Sequence, residues 1–280
     1  MKIRECLRWA RARLDAAGID EAPLESELLL RHALALSPVE LYLALEKEVA
    51  SSHGEVFERL VQRRLAGEPV AYILGRREFY GLDFCVNSSV LVPRPETEIL
   101  VEQAITLAQT YTSPLVADIG TGSGAIAVGL AKSLPRARIY ASDISAQALE
   151  IARLNAKRHG VEPCITFLIG NLAEPLPEPV DILIANLPYV KSNDCANSPE
   201  PHLALDGGAD GLDTIARLCG MLDGKLRPGG SVLLEVGQGQ SDGVTGYLSA
   251  ALPVARITME TDLAGIERVV SAHLPAMVPV

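Results

Sequence analysis

Short apolar segments alternate with amphipathic ones from about residue 97 onward, and this alternation limits the folds open to the chain. Strands and helices that alternate in this way form a mostly parallel sheet with helices on both faces. The predicted strands are Leu115–Ile119, Arg138–Ser142, Ile165–Ile169, Val180–Ala185, Val232–Val236 and a C-terminal pair near Ala255–Glu260 and Glu267–Ala272. The predicted helices are 98–110, 124–134, 146–159 and 211–226, the last of them ended by "RPGG". We therefore expect an α/β domain over 97–280, built on a seven-stranded, mostly parallel sheet.

Two other segments precede this domain. Residues 1–68 show helical periodicity and predict a small bundle of about four short helices. One of these helices begins with a capping box, formed by Ser37 and Glu40. In residues 69–96, "EFYGLDFCVN" predicts a β-hairpin around a Gly-Leu-Asp turn. The following "VPRPETE" predicts a stiff, non-helical connector, because each proline fixes φ and extends the residue before it.

Composition and charge exclude several classes of protein. The formal net charge is −10, and neutralising phosphates needs clustered Lys and Arg, so we expect no direct nucleic-acid contact. The five cysteines include no C-x-x-C pair, so neither a disulfide framework nor a metal site is predicted. No apolar run approaches the ~18–20 residues that span a bilayer. The basic first segment contains Glu5 and Asp15, unlike a signal peptide. We expect a cytoplasmic monomer with no membrane attachment.

The segment "VADIGTGSGAIAVGLA" has the pattern of a strand, a glycine turn and the start of a helix. Gly120, Gly122 and Gly124 allow a sharp turn and a close approach to a ligand, since they carry no side chain. The dinucleotide fingerprint G-x-G-x-x-G requires glycine where this chain has Ala125, and no Gly-Lys-Ser/Thr follows to make a P-loop. The observed G-x-G-x-G, preceded by Asp118, instead fits a methyltransferase that binds S-adenosylmethionine.

Two polar residues follow the next two strands. Asp143 ends the second strand, about twenty residues past the loop, where a carboxylate can accept hydrogen bonds from both ribose hydroxyls. A lone aspartate there is equally typical of a turn or a helix cap, but its offset from the glycine loop favours the ribose. Asn171 follows the third strand, where such enzymes place a residue against adenine.

The fourth strand ends in "NLPY", at the edge of the sheet that faces the ligand crevice in open α/β folds. The side-chain oxygen of Asn186 can accept a hydrogen bond from a substrate N–H. Pro188 stiffens the loop, and Tyr189 can lie flat against a planar group. Because a planar amide or amino nitrogen is a weak nucleophile, such a clamp replaces reactivity by positioning. The motif therefore predicts an N-methyltransferase.

Taken with its flanking segments, the chain resembles the PrmC/HemK family of release factor glutamine methyltransferases over nearly its whole length. The resemblance rests on "PVAYILGRREFYGLDFCV" (69–86), "VLVPRPETE" (90–98), "DIGTGSGAIA" (118–127), "NLPY" (186–189), "EPHLALDGGADGLD" (200–213) and "GIERVV" (265–270). Glycine loops and Asn-x-Pro-Tyr recur in many methyltransferases. The hairpin with its Pro-Arg-Pro-Glu-Thr-Glu connector is the more discriminating part.

The resemblance implies a Rossmann-like class I methyltransferase domain that uses S-adenosylmethionine, a hairpin linker and an N-terminal bundle that helps to recognise the partner. The implied substrate is the glutamine of the Gly-Gly-Gln motif in class I peptide-chain release factors, methylated on its side-chain nitrogen. The implied cofactor contacts are Gly120, Thr121, Gly122, Ser123, Gly124, Asp143, Asn171 and Asn186. The implied glutamine pocket is formed by Asn186, Leu187, Pro188 and Tyr189, of which Asn186, Pro188 and Tyr189 are the expected catalytic residues.

Two positions depart from the family pattern. The family usually has proline where this chain has Leu187, and we expect a modest loss of pre-organisation from leucine, without loss of activity. Asn171 stands where relatives commonly have an acidic or aromatic residue. In the connector, Arg94 and Glu96 are expected either to pair with each other or to touch the substrate loop.

Two other functions compete with glutamine methylation. The Asn-Leu-Pro-Tyr clamp also resembles that of adenine-N6 methyltransferases acting on RNA or DNA, whose substrates likewise present an NH2 group on a planar system. Such an enzyme is expected to have a basic groove, whereas this chain is acidic. A degenerate methyltransferase that serves only as a binding module is expected to have lost a loop glycine, Asp143 or Asn186, and this chain keeps them all.

Overall fold

A computed structural model describes residues 1–196 and 198–276, and the chain forms two compact units. The first unit is Met1–Arg76, and the second begins at Arg77. The end of the predicted 97–280 segment, residues 277–280, lies outside the described residues. Within the described ranges, no helix combines the length and the apolarity needed to cross a bilayer.

The first unit consists mainly of helices, as its periodicity predicts, and it ends at Arg76, the first residue of a strand. Its helices are α1 (Ile3–Ala16), α2 (Ala22–Leu34), α3 (Pro38–Leu43), α4 (Ser51–Leu65) and α5 (Val70–Leu74). They enclose their own core, which includes the fully buried side chains of Leu14, Leu29 and Phe57. The capping box of α3 is confirmed, because the backbone N–H of Glu40 donates to Ser37 Oγ (3.3 Å) and that of Ser37 donates to Glu40 Oε2 (2.8 Å). This exchange satisfies two of the backbone donors that the start of a helix leaves open.

A hairpin of β1 (Arg76–Phe79) and β2 (Leu82–Cys85) follows. Its turn is Tyr80–Gly81, one residue earlier than the predicted Gly-Leu-Asp turn, and both residues have positive φ (52° and 69°). Two-residue hairpin turns of this kind need left-handed backbone, which Gly81 adopts without steric cost. The connector then forms a single 3-10 turn, Pro95–Thr97, directly before a long helix.

The α/β part of the second unit alternates strands and helices in chain order. The strands are β3 (Leu115–Ile119), β4 (Arg138–Asp143), β5 (Ile165–Ile169), β6 (Val180–Ala185), β7 (Leu226–Glu235), β8 (Arg256–Thr261) and β9 (Glu267–His273). The helices are α6 (Glu98–Ala108), α7 (Ala125–Ser133), α8 (Ala146–Arg158), α9 (Ser192–Cys195), α10 (His202–Leu205), α11 (Asp213–Cys219) and α12 (Ser241–Ala251). A second 3-10 turn, Glu162–Cys164, precedes β5.

The seven strands form one sheet in the order β5-β4-β3-β6-β7-β9-β8. The pairs from β5 to β7 are parallel, and only β9 pairs antiparallel, with β7 and β8. The predicted fold class is therefore confirmed. Strand order reverses between β3 and β6, which is the point where open α/β sheets bind their ligands, at the carboxyl ends of the strands. Both strands are buried along their whole length, so these ends are rigidly placed.

The prediction of a helix over 211–226 ended by "RPGG" is wrong. The helix is shorter, Asp213–Cys219, and "RPGG" lies inside β7. Pairing with β6 explains the difference, because Val180 pairs with Leu226 and Ile182 pairs with Ser231, which leaves a bulge on β7 between these two pairs. Proline and glycine are tolerated in a strand at such a bulge.

Helix α12 was not predicted from the sequence. Its segment "SDGVTGYLSAA" contains Gly243 and Gly246 together with β-branched residues, and these residue types have low helix propensity. The helix is stabilised instead by packing, since Val244 and Leu248 are both fully buried in the core of the second unit.

Candidate functional site

A cavity of about 610 Å³ opens at the carboxyl ends of the central strands. It is lined by most of the predicted site residues, namely Gly120, Thr121, Gly122, Ser123, Asp143, Asn171, Asn186, Leu187 and Pro188. Two predicted site residues, Gly124 and Tyr189, are not among the described residues that line it. A larger groove, of about 1190 Å³, lies between α6 and the strands β8 and β9 and contains none of the predicted site residues. The smaller cavity is therefore the candidate site.

The glycine loop turns tightly around the end of β4. The backbone N–H groups of Gly120 and Thr121 both donate to the carbonyl oxygen of Ser142, at 2.8 and 2.9 Å. Gly124 has φ of 80°, and a Cβ added there would lie 3.0 Å from the Cβ of Ala152 on α8. Gly124 therefore allows α7 and α8 to pack closely. It shapes the loop without lining the cavity.

Asp143 joins the end of β4 to the glycine loop. Its Oδ2 accepts from the backbone N–H of Gly122, and its Oδ1 accepts from that of Ser145, both at 2.9 Å. Burial raises the pKa of the Asp143 carboxyl, while the backbone donors oppose that rise. Each carboxylate oxygen has a second lone pair, so the group keeps acceptor capacity at the cavity wall.

Asp118 supports the loop from below. Its side chain is fully buried, and Oδ2 accepts from Thr121 Oγ1 (2.6 Å) and from the backbone N–H of Ala127 (3.2 Å). Its Oδ1 has no hydrogen-bond partner among the described residues. Burial, the largest cause, raises the pKa of Asp118 to about 7. Asp118 does not line the cavity, and its contacts assign it to holding the loop in shape.

Asn171 is held at the cavity wall by two neighbours. Its Nδ2 donates to Glu174 Oε1 (3.2 Å), and its Oδ1 accepts from Arg217 (3.0 Å), which also lines the cavity. Both ends of the amide are engaged, so the orientation of this side chain is fixed within the protein.

Asn186 follows the last residue of β6 and projects to the cavity. Its Nδ2 donates to Thr97 Oγ1 at 3.0 Å, and its Oδ1 has no hydrogen-bond partner among the described residues. Leu187 is buried, and a Cβ added to Gly120 would lie 3.0 Å from Leu187 Cδ2. The leucine at this position therefore anchors the motif in the core, directly against the glycine loop.

Tyr189 is directed toward a different partner. Its hydroxyl donates to Glu235 Oε1 (3.2 Å), and its backbone carbonyl accepts from Gln240 Nε2 (2.9 Å). Burial and the neighbouring Glu235 raise the pKa of the Tyr189 hydroxyl, so the group stays protonated at neutral pH. These contacts fix Tyr189 as the far end of the motif.

Two further residues at this edge, Thr97 and Glu235, were not predicted from the sequence as site residues. Thr97 lines the cavity and is 4% exposed, and Glu235 is the last residue of β7 and is 2% exposed. Burial is the largest effect and raises the pKa of Glu235 to about 7. The hydroxyls of Thr97 and Tyr189 lower this pKa, as does the charge of Arg268, whereas the charge of Glu96 raises it. The available signal was a carboxylate directly after the apolar run Val232–Leu234.

The connector holds a further ion pair. Arg94 pairs with Glu200, and Glu200 Oε1 also accepts from the backbone N–H of Val92 at 2.9 Å. The expected pairing of Arg94 with Glu96 is therefore wrong, because Arg94 lies at the cavity and Glu96 faces the larger groove. The "EPHLALDGG" segment is thereby joined to the connector at the cavity rim.

Comparison with known proteins first defines the class. Residues 95–199 match the family model described as the methyltransferase small domain, and residues 5–75 match that of the PrmC N-terminal domain. A crystal structure of a methyltransferase from Pyrococcus furiosus is similar in fold, with a TM-score of 0.51 at 15% identity, covering 76% of this chain and 97% of that one. The second unit thus has the fold of a methyltransferase domain, and residues 95–199 match the family model for one.

Full-length relatives define the family. A release factor glutamine methyltransferase from Moorella thermoacetica is 40% identical over 98% of this chain and 99% of its own length. Another, from Cereibacter sphaeroides, is 41% identical over 99% of this chain and 100% of its own length. The chain belongs to the family of release factor glutamine methyltransferases, which confirms the resemblance seen in its motifs.

Proposed function

We propose that this protein transfers a methyl group from S-adenosylmethionine to the side-chain nitrogen of the glutamine in the Gly-Gly-Gln motif of class I release factors. The S–CH3 bond breaks as the N–CH3 bond forms, and the products are N5-methylglutamine, S-adenosylhomocysteine and one proton released from the amide nitrogen. The observation that carries the proposal is the placement of Asn186 Oδ1, free of partners in the described structure, in the same cavity as the glycine loop and Asp143. The family membership supports the same reaction.

The cavity residues fit the cofactor. A volume of about 610 Å³ lies within the range of roughly 300–1,000 Å³ typical of small-molecule sites. Gly120 and Gly122 leave the wall open to a close-lying ligand, Asp143 retains acceptor capacity for hydroxyls, and Asn171 stands at the wall near Arg217. S-adenosylmethionine supplies an electrophilic methyl group on a positively charged sulfur.

Residues of the Asn-Leu-Pro-Tyr motif hold and orient the glutamine nitrogen that accepts the methyl group. The lone pair of an amide nitrogen is delocalised, so the nitrogen reacts slowly unless it is held in a productive direction. Asn186 Oδ1 accepts an amide hydrogen and thereby orients the nitrogen, and Pro188 borders the planar group. The anchored Leu187 and Tyr189 on either side of Pro188 keep the motif rigid.

The remaining assignments are proposals of the same kind. We infer that the N-terminal bundle (1–68) helps to recognise the release factor, with the hairpin and connector (69–96) leading to the methyltransferase domain (97–280). The acidic charge supports action on protein without direct contact to nucleic acid. We propose that the protein works as a monomer in the cytoplasm.

The test is mass spectrometry of purified release factor after incubation with this protein and S-adenosylmethionine. One added methyl group on the Gly-Gly-Gln glutamine is expected, and none when that residue is changed to glutamate. Methylation of adenine in RNA or DNA oligonucleotides, with no change in the release factor, would establish the competing function.

Substitution of Asn186 tests the role of its amide. Asn186→Ala should lower kcat by about 10²–10³, as removal of one preorganised polar contact does. Asn193→Ala is the matched control, since Asn193 is exposed and is not among the cavity-lining residues. A wild-type rate in the Asn186 variant would contradict the proposed role.

A further inference from the structure

Asn186 and Glu235 occupy neighbouring positions at the edge of the sheet. The parallel register pairs Ala185 with Leu234, so the residues that follow them, one after β6 and one at the end of β7, lie side by side. Thr97 completes the group, since its Oγ1 accepts from Asn186 Nδ2 at 3.0 Å and its hydroxyl lies near enough to Glu235 to lower the pKa of that carboxyl. Both Thr97 and Glu235 are buried, so water does not compete freely for these contacts.

The chemistry of these groups sets the direction of each hydrogen bond. Above about pH 7, Glu235 is mostly ionised. An ionised carboxylate only accepts, so the Thr97 hydroxyl can then donate toward Glu235 but cannot accept from it. The oxygen of Thr97 is then an acceptor toward Asn186, and the amide must present Nδ2 to it. The two ends of an amide have nearly the same shape, so this choice depends on the hydrogen-bond network alone.

We propose that Glu235 is a positioning residue, which acts through Thr97 to hold the Asn186 amide with Oδ1 toward the substrate. Glu235 also accepts a hydrogen bond from the hydroxyl of Tyr189. One carboxylate therefore acts on both ends of the Asn-Leu-Pro-Tyr motif. Its second oxygen, Oε2, has no hydrogen-bond partner in the described part of the chain, so the group retains acceptor capacity for both hydroxyls. This inference rests on the proposed function for its kinetic consequence.

The variant Glu235→Gln tests the direction of these hydrogen bonds. The NH2 group of the glutamine can donate to Thr97, which frees the threonine hydroxyl to donate to Asn186 Oδ1 and turns the amide around. Glu235→Gln should therefore lower kcat by about 10–100-fold at pH 8, as misplacement of a positioning group does. The affinity for S-adenosylmethionine and the KM for the release factor should change by no more than about twofold.

Variants of Thr97 separate positioning from folding. Thr97→Val keeps the shape but removes the hydroxyl, and it should lose activity like Glu235→Gln. Thr97→Ser restores the hydroxyl and should keep kcat within about threefold of wild type. Thr245→Val is the matched control, because the buried hydroxyl of Thr245 on α12 has no hydrogen-bond partner among the described residues and should be dispensable. Equal kcat in the wild type, Glu235→Gln and Thr97→Val proteins would overturn the proposal.

NMR spectroscopy tests the orientation of the Asn186 amide without a measurement of enzyme activity. The side-chain NH2 resonances of Asn186, assigned by their absence in Asn186→Asp, should move in Glu235→Gln and Thr97→Val and stay in place in Thr97→Ser. Unmoved resonances in Glu235→Gln would refute the positioning role. Should the wild-type protein methylate no release factor, the proposed function fails, and these resonances still test whether Glu235 orients the amide.

Discussion

Asp118, the buried carboxyl group beneath the glycine loop, makes the stability of the folded protein depend on pH. Its pKa is raised to about 7 in the folded protein, above its ordinary value of 3.8, so folding favours the protonated form. Between these two values the folded state binds more protons than the unfolded state, and stability therefore falls as pH rises. The contribution is complete below about pH 4 and is lost as pH passes about 7.

Asp118→Asn should remove this pH dependence. From pH 5 to pH 7 the free energy of unfolding of the wild-type protein should fall by about 2 kcal/mol relative to the variant, since one pKa unit corresponds to ~1.4 kcal/mol. Urea unfolding at both pH values measures the difference. A gap between the two proteins that stays constant with pH would contradict the assignment.

Individual site residues differed in how far the sequence revealed them. Asn186 and Asp143 stand in motifs whose spacing is local, so the sequence was enough to place them at the cavity. Glu235 lies near Asn186 because β7 lies beside β6, and Thr97 joins them through its contact with Asn186, so this neighbourhood depends on strand order. The partner of Arg94 was missed for the same reason, since Glu200 is 106 positions away in the chain.

At the scale of elements, the contact between α7 and α8 depends on the absence of a side chain at Gly124. Gly124→Ala would add a Cβ 3.0 Å from that of Ala152, at a backbone φ of 80° that disfavours alanine. The variant should lose about 1–3 kcal/mol of stability, as overpacking and backbone strain do. Thermal unfolding measures the loss.

Gly246→Ala on α12 is the control for this prediction. Gly246 has nothing within 4 Å of an added Cβ and lies inside a helix, so alanine should leave stability unchanged or raise it by about 0.5–1 kcal/mol. Equal stability in the two alanine variants would show that the packing at Gly124 is less tight than its geometry indicates.

Elements whose own residues favour them were predicted well. The bounds of β3, β5 and β6 follow from their apolar, β-branched composition and were predicted to the residue. Helix α12 and the first half of β7 carry glycine and proline, and they form because the core and the neighbouring strand stabilise them. Tertiary stabilisation of this kind leaves no periodic signal in the local sequence.

At the scale of the whole molecule, the helical unit exposes apolar side chains on α3. Val39 is 67% exposed and Leu43 is 82% exposed. Exposed apolar groups that lie close together mark interaction sites. We therefore expect these side chains of α3 to contact the release factor, in line with the recognition role proposed for this unit.

Val39→Glu should raise the KM for intact release factor by about tenfold, or ~1.4 kcal/mol, with little change in kcat. A short peptide containing Gly-Gly-Gln lacks the rest of the partner, so its methylation rate should stay the same in the variant. Val254→Glu is the matched control, because Val254 is similarly exposed (71%) but lies in the second unit. An unchanged KM in Val39→Glu would remove α3 from the docking surface.

The contact of Gly120 with Leu187 has a consequence for substitutions in this part of the chain. The glycine loop and the Asn-Leu-Pro-Tyr motif meet here, since a Cβ added to Gly120 would lie 3.0 Å from Leu187 Cδ2. A side chain at position 120 would press on Leu187, at a backbone φ of 73° that itself disfavours any residue but glycine. The two segments therefore form one packing unit, in which a substitution at residue 120 also displaces the strand end that carries Asn186.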